Sequence, residues 1–131
     1  MTPRRIPLAL AGVMLMAMAT PGHARQAISV SLVECGAIFD ELAQVAHRRG
    51  RDLADVWLAE DTAERFRAFA VTEARREGIR DVQAHIDDTI PVMAQKWTGR
   101  FASVLLLTEN KDWIDYCGAL GKDRGVLPLT N

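Results

Sequence analysis

Two cysteines constrain this chain more than any other feature. Cys35 and Cys117 are its only cysteines, and they stand near the two ends of the segment that follows residue 24. A bond between them closes most of that segment into one loop. In the chain-entropy picture such a closure stabilises the folded state by about 4–5 kcal/mol, less any strain. Whether they join depends on the redox compartment, and the first residues speak to that. Arg4-Arg5 make a basic start, Ile6 to Thr20 is an apolar run broken only by Pro7 and Gly12, and Pro21-Gly22-His23-Ala24 places small residues at −3 and −1. That is the three-part pattern of a secretory signal peptide over residues 1–24, too short for a comfortable membrane span. The expectation is a mature chain from Arg25 in an oxidising compartment, periplasmic or secreted, with Cys35 and Cys117 bonded rather than held as buried thiols.

Other export routes fit less well. A lipoprotein needs its cysteine at the cleavage point, whereas Cys35 follows Leu32-Val33-Glu34, well past the apolar run. Twin-arginine export would use Arg4-Arg5, but Pro7 sits where an apolar side chain belongs. No second stretch is apolar for long enough to span a bilayer, so no stable membrane anchor is expected after cleavage.

The remaining 107 residues make one small domain, 25–131. The whole sequence has 16 basic and 17 acidic side chains. Arg4 and Arg5 leave with the leader, so the remainder carries 14 against 17, a net of −3. That mild balance argues against a general nucleic-acid binder, which needs a cationic excess. The Arg- and Ala-rich usage and the leader's form point to a bacterial source.

Apolar spacing predicts helices throughout. Ser31-Leu32-Val33-Glu34 reads as a capping box opening a helix over 31–49, with Leu32, Cys35, Phe39 and Leu42 on one face and Gly50 as its stop. Asp52 can cap a second helix from Leu53, whose inner stripe is Val56, Ala59, Ala63, Phe66, Ala70 and Ala74, ending near Gly78. A break at Asp61-Thr62 is the alternative there. Asp81 can cap a third, through Val82, Ile86, Ile90, Met93 and Trp97, which Pro91 bends or ends one turn early. Val104 to Leu107 is apolar all round. A lone strand would have no partner, so a buried central helix is expected. Trp113, Cys117 and Leu120 line a last short helix closed by Gly121, with residues 122–131 as a tail whose Leu127 and Leu129 fold back. The fold class is therefore all-α: a compact bundle of four to five helices, the first and last joined by one disulfide.

Chemistry-bearing patterns are sparse. Asp81, His85 and Asp88, spaced four and three, share a helix face and could hold a divalent metal. The plainer reading makes Asp81 a cap, Asp88 solvated and His85 an ordinary surface residue. His47-Arg48-Arg49-Gly50-Arg51, and Arg75, Arg76 and Arg80, are basic runs at helix ends that complement the helix dipole. Trp57 and Phe69 fall off the main apolar stripe of the second helix and are the candidates for a contact surface. Their alternative is burial, had the helix broken differently. Ser29, Ser31 and Ser103 stand in no nucleophile elbow, Asp87-Asp88 splay apart on a helix, and no glycine-rich phosphate loop occurs. No cofactor is implied. The leading expectation is a non-catalytic interaction module of the cell envelope with a protein partner, of the inhibitor, immunity, chaperone or assembly type. A small-ligand or metal carrier is the alternative.

Overall fold

A computed structural model describes residues 26–128. The leader expected over residues 1–24, and Leu129, lie outside the described residues. Five helices and no strand occur among those described: α1 Ile28–Arg48, α2 Leu53–Arg76, α3 Val82–Trp97, α4 Val104–Glu109 and α5 Lys111–Asp123. The all-α bundle is as expected, and so is the tie between its first and last helices. Cys35 and Cys117, 82 positions apart, form a disulfide with their Cα atoms 5.5 Å apart.

α1 is the spine. It runs antiparallel to α2, because Ser29 meets Glu77 near one end and Asp40 meets Arg67 farther along. It runs in the same direction as α3, because Ser29 meets His85 and Glu34 meets Trp97. Gly36 sets the approach of α1 to α2: a methyl there would lie 3.2 Å from both the Ala63 carbonyl oxygen and Arg67 Cγ. Leu32, Ile38, Phe66, Trp97, Phe101 and Val126 are completely buried and form the core with the disulfide. Trp97 stacks on Phe101 with ring centroids 5.6 Å apart, and the Trp113 ring meets Trp97 edge-on at 5.3 Å.

Four expectations need correction. The capping box is not the start of α1. The helix begins at Ile28, a turn earlier, and both Ser31 and Glu34 lie buried inside it. Its free Ser29 amide donates instead to Glu77 Oε1 at 3.0 Å, so a carboxylate at the end of α2 caps α1. Asp52 stands at the N-cap of α2 without a side-chain cap bond, and the ion pair at that end is Arg51 with Asp55 at 3.1 Å. Val104 and Leu105 are not buried but 69% and 68% exposed, since α4 is a single short turn-and-a-half, capped by Ser103, on the outside of the bundle. Gly121 does not close α5, which continues to Asp123. Its missing side chain admits Leu127: an added methyl would lie 2.9 Å from Leu127 Cδ1 and 3.0 Å from Phe66 Cζ. Leu127 folds back as expected, with the Val126 and Leu127 amides both donating to the Gly121 carbonyl.

Where alternatives stood open, α2 is one unbroken helix, and Thr62 turns its hydroxyl back to the Leu58 carbonyl at 2.7 Å instead of starting a new one. α3 passes through Pro91 without a break. Pro91, Asp87 and Asp88 are all exposed, so water can serve the carbonyl that the ring deprives of a donor.

Candidate interaction surface

Three polar arrangements in the described region compete for a functional role, and the structure assigns two of them to architecture. The first surrounds Glu34, a completely buried carboxylate. It accepts from Trp97 Nε1 at 3.0 Å, from Gln26 Nε2 at 2.8 Å and from the Lys96 ammonium. The same ammonium lies 4.9 Å from the Trp113 ring centroid. Buried charge is tolerated only when it is paired and hydrogen-bonded, and Glu34 satisfies both conditions. Its carboxylate is fully engaged in fixing α3 on α1.

The second contains the candidate metal triplet. Asp81 Oδ1 accepts from the Ala84 amide at 3.0 Å, which is a cap. Asp88 is exposed to solvent. His85 turns to α1, where its Nε2 shares a 3.1 Å hydrogen bond with Ser29 Oγ. Among the described residues no three His, Cys, Asp or Glu side chains come together to hold a metal ion. The Ser29–His85 pair has the atoms of a nucleophile and base. Yet the Ser29 side chain is completely buried, and neither of the two cavities below is lined by it or by His85. A nucleophile must reach substrate, and this hydroxyl is placed to lock α3 to α1 instead.

The third arrangement is open to solvent. α1 presents Val33, Ala37, Glu41, Gln44 and Arg48 to a cleft of about 660 Å³ walled by α2 and α3. Small side chains leave the room, Ala37 on α1 and Ala94 on α3 among them, and Val33, Val56 and Ile90 add apolar lining. The polar wall is largely self-paired. Arg67 reaches Asp40 at 2.6 Å, and the Gly99 amide donates to Glu41 Oε2 at 3.2 Å. His47, Arg48 and Glu60 remain at the rim. The first basic run of the sequence is therefore divided: His47 and Arg48 border the cleft, while Arg51 is held by Asp55. Of the second run, Arg76 is paired with Glu73 at 2.9 Å, and Arg75 and Arg80 are exposed.

Beside the cleft, the first half of α2 carries the largest exposed aromatic side chain. Trp57 is 60% exposed and Leu53, one turn before it, 59%. Leu58 borders a second hollow of about 450 Å³ shared with Phe39, Asp55 and Leu127. Phe69, the other residue singled out by its spacing, lies elsewhere. Twelve residues of α-helix rotate a side chain by about 120°. Phe69 is half-buried against the tail, with the Arg65 guanidinium 5.7 Å from its ring centroid and Arg65 Nε donating to the Val126 carbonyl at 3.0 Å. Trp57 and Phe69 therefore do not form one surface: Trp57 faces water and Phe69 seats the C-terminal strap.

No match was found. No family model fits the chain, and neither the curated proteins nor the solved structures hold one similar to it at significance.

Sequence reasoning did not find the Glu34 anchor, the Ser29–His85 lock or the cleft. One signal for the first was available. Glu34 shares its helix face with Ile38 and neighbours Cys35, and an acid on an apolar face marks a buried partner as readily as a cap.

Proposed function

We propose that this protein is an exported, non-catalytic interaction module of the cell envelope, cleaved after Ala24 and binding a protein partner through the outer face of α2. The supporting observation is Trp57. A tryptophan standing in water on a stiff, 24-residue helix is an anchor without a pocket in its own chain. The helix is held by the Gly36 approach to α1, and α1 is tied to α5 by the disulfide, so the anchor is presented at little entropic cost. The disulfide suits an oxidising, extracytoplasmic environment. No helix among the described residues is long and apolar enough to cross a membrane.

The test is a photo-reactive benzophenone amino acid placed at position 57 of the full chain, with position 95 on α3 as an exposed control, and irradiation in living cells. A discrete protein adduct at 57 and none at 95 supports the reading. Equal or absent labelling at both removes it.

The cleft favours a second reading, a small-ligand carrier. Its volume lies within the range of ordinary ligand sites. Native mass spectrometry of protein isolated from the envelope separates the two, since a carrier brings a bound mass that is lost when Ala94→Trp fills the cleft.

A further inference from the structure

Three carboxylates are buried among the described residues, those of Glu34, Glu41 and Glu73, and two of them have a cation of their own. Glu34 has the Lys96 ammonium. Glu73 has the Arg76 guanidinium at 2.9 Å and that of Arg124 at 3.4 Å. Glu41 is the exception. It is 8% exposed, and among the described residues its one partner is the Gly99 amide, which donates to Oε2 at 3.2 Å. The acid left without a cation is also the one of the three that lines the cleft of about 660 Å³ between α2 and α3.

Architecture does not call for a charge at this position. The Gly99 amide needs an acceptor, and a neutral one serves. That amide stands just beyond the carboxyl end of α3, where the helix dipole is negative, so a carboxylate is disfavoured there and a cation favoured. A buried charge that is hydrogen-bonded but not paired carries a desolvation cost that Glu34 and Glu73 avoid. The cations lining the cleft are placed elsewhere. Arg67 is held by Asp40 at 2.6 Å, and Arg48 lies within hydrogen-bonding reach of Gln44 at 3.5 Å. His47 follows Glu41 on α1 by about 9 Å along the helix axis. Val33, Ala37, Val56, Ile90 and Ala94 give the same cleft an apolar lining. One buried acid facing an apolar cleft suits a ligand that is cationic at one end and hydrocarbon over the rest.

We propose that the cleft binds a primary amine with an apolar body, its ammonium donating to Glu41 Oε1 and its hydrocarbon lying against the apolar lining. This rests on the reading of the cleft as a ligand site and names the class of ligand. Oε2 keeps the Gly99 amide, so binding leaves the end of α3 in place.

Isothermal titration of the purified protein with hexylammonium, hexanoate and hexanol at neutral pH is the test, since the amine is then protonated as a lysine side chain is. The three probes share one hydrocarbon and differ in the head group. Hexylammonium is expected to bind with a dissociation constant of about 1 mM or below, at least about tenfold tighter than either of the others. Glu41→Gln keeps an acceptor for the Gly99 amide and brings hexylammonium to the level of hexanol. Ala94→Trp fills the cleft and abolishes its binding. Circular dichroism checks that both variants keep their helices. Failure of hexylammonium to bind, or binding that survives Glu41→Gln or Ala94→Trp, overturns the inference. Equal binding of all three probes, lost in Ala94→Trp, overturns it too, but leaves the cleft a ligand site. Absence of binding by all three, together with no bound mass on the protein isolated from the envelope, removes both readings.

Discussion

The indole N–H of Trp97 donates to Glu34 Oε1 at 3.0 Å, and both side chains are completely buried. One bond thus joins the first third of α1 to the end of α3. Gln26 and the Lys96 ammonium complete the carboxylate's shell, so the charge is compensated from both sides. Around this contact the bundle holds the cleft open, since Ser29–His85 and Glu41–Gly99 pin α3 to α1 on either side of it.

Removing that carboxylate strands a buried indole N–H and an ammonium. Glu34→Ala is expected to cost about 3–5 kcal/mol, read as a shift in urea unfolding. Lys96→Ala leaves the completely buried Glu34 carboxylate without its cation and is expected to cost a similar amount. A loss below about 1 kcal/mol from either substitution would show that the pair is incidental.

Two glycines of α5 predict opposite signs. A methyl at Gly121 meets Leu127 and Phe66 at 2.9–3.0 Å, whereas a methyl at Gly118 meets nothing within 4 Å. Gly121→Ala is expected to destabilise by about 1–3 kcal/mol through overpacking. Gly118→Ala stabilises by about 0.5–1 kcal/mol, the helix-propensity difference. Thermal unfolding of both variants checks this. Two shifts of the same sign contradict the seating of the tail on Gly121.

Trp57 and Phe69 are separable by stability. Trp57→Ala is expected to leave unfolding unchanged within about 0.5 kcal/mol, as for other solvent-facing positions. Phe69→Ala removes part of the tail's seat and costs about 1–2 kcal/mol, less than a fully buried phenylalanine. A large loss at Trp57 would mean that the side chain is packed, and the interface reading would go with it.

Among the described residues, Lys111 has its pKa raised from the ordinary value of 10.5 by a side-chain hydrogen bond to Asp115 and then by the attraction of that charge. The pair is 2.6 Å apart and exposed on α5. A raised folded value means that the pairing is fully present below the unfolded pKa and is lost as pH rises through the folded one. NMR titration of Lys111 is expected to show a midpoint above 10.5, and Asp115→Asn should return it toward that value. A midpoint unmoved by the substitution contradicts the assigned cause.

Much of the fold was legible because helical period is a strong signal. The stripe from Val56 to Ala74 lies on one face, and that periodicity put α2 in place. Cys35 and Cys117 could be paired because each fell on an inward stripe. What failed were features set by distant partners. Ser31-x-x-Glu34 has the letters of a cap, but Trp97 and Lys96 arrive from more than sixty residues away and claim the carboxylate. Composition alone misplaced Val104 and Leu105, since an apolar run carries no information on whether anything covers it. Phe69 was grouped with Trp57 because both leave the main stripe, although helical rotation sends them to different neighbours. The cleft had no local signature. It arises from the small side chains Ala37 and Ala94 facing each other across two helices that are not adjacent in sequence.

Export followed by oxidation is the central claim, and intact mass spectrometry of the protein isolated from the cell envelope tests both steps at once. The expected species begins at Arg25 and takes up no thiol-alkylating reagent at Cys35 or Cys117 until it is reduced. A chain that still begins at Met1, or one that alkylates at both cysteines without reductant, contradicts it.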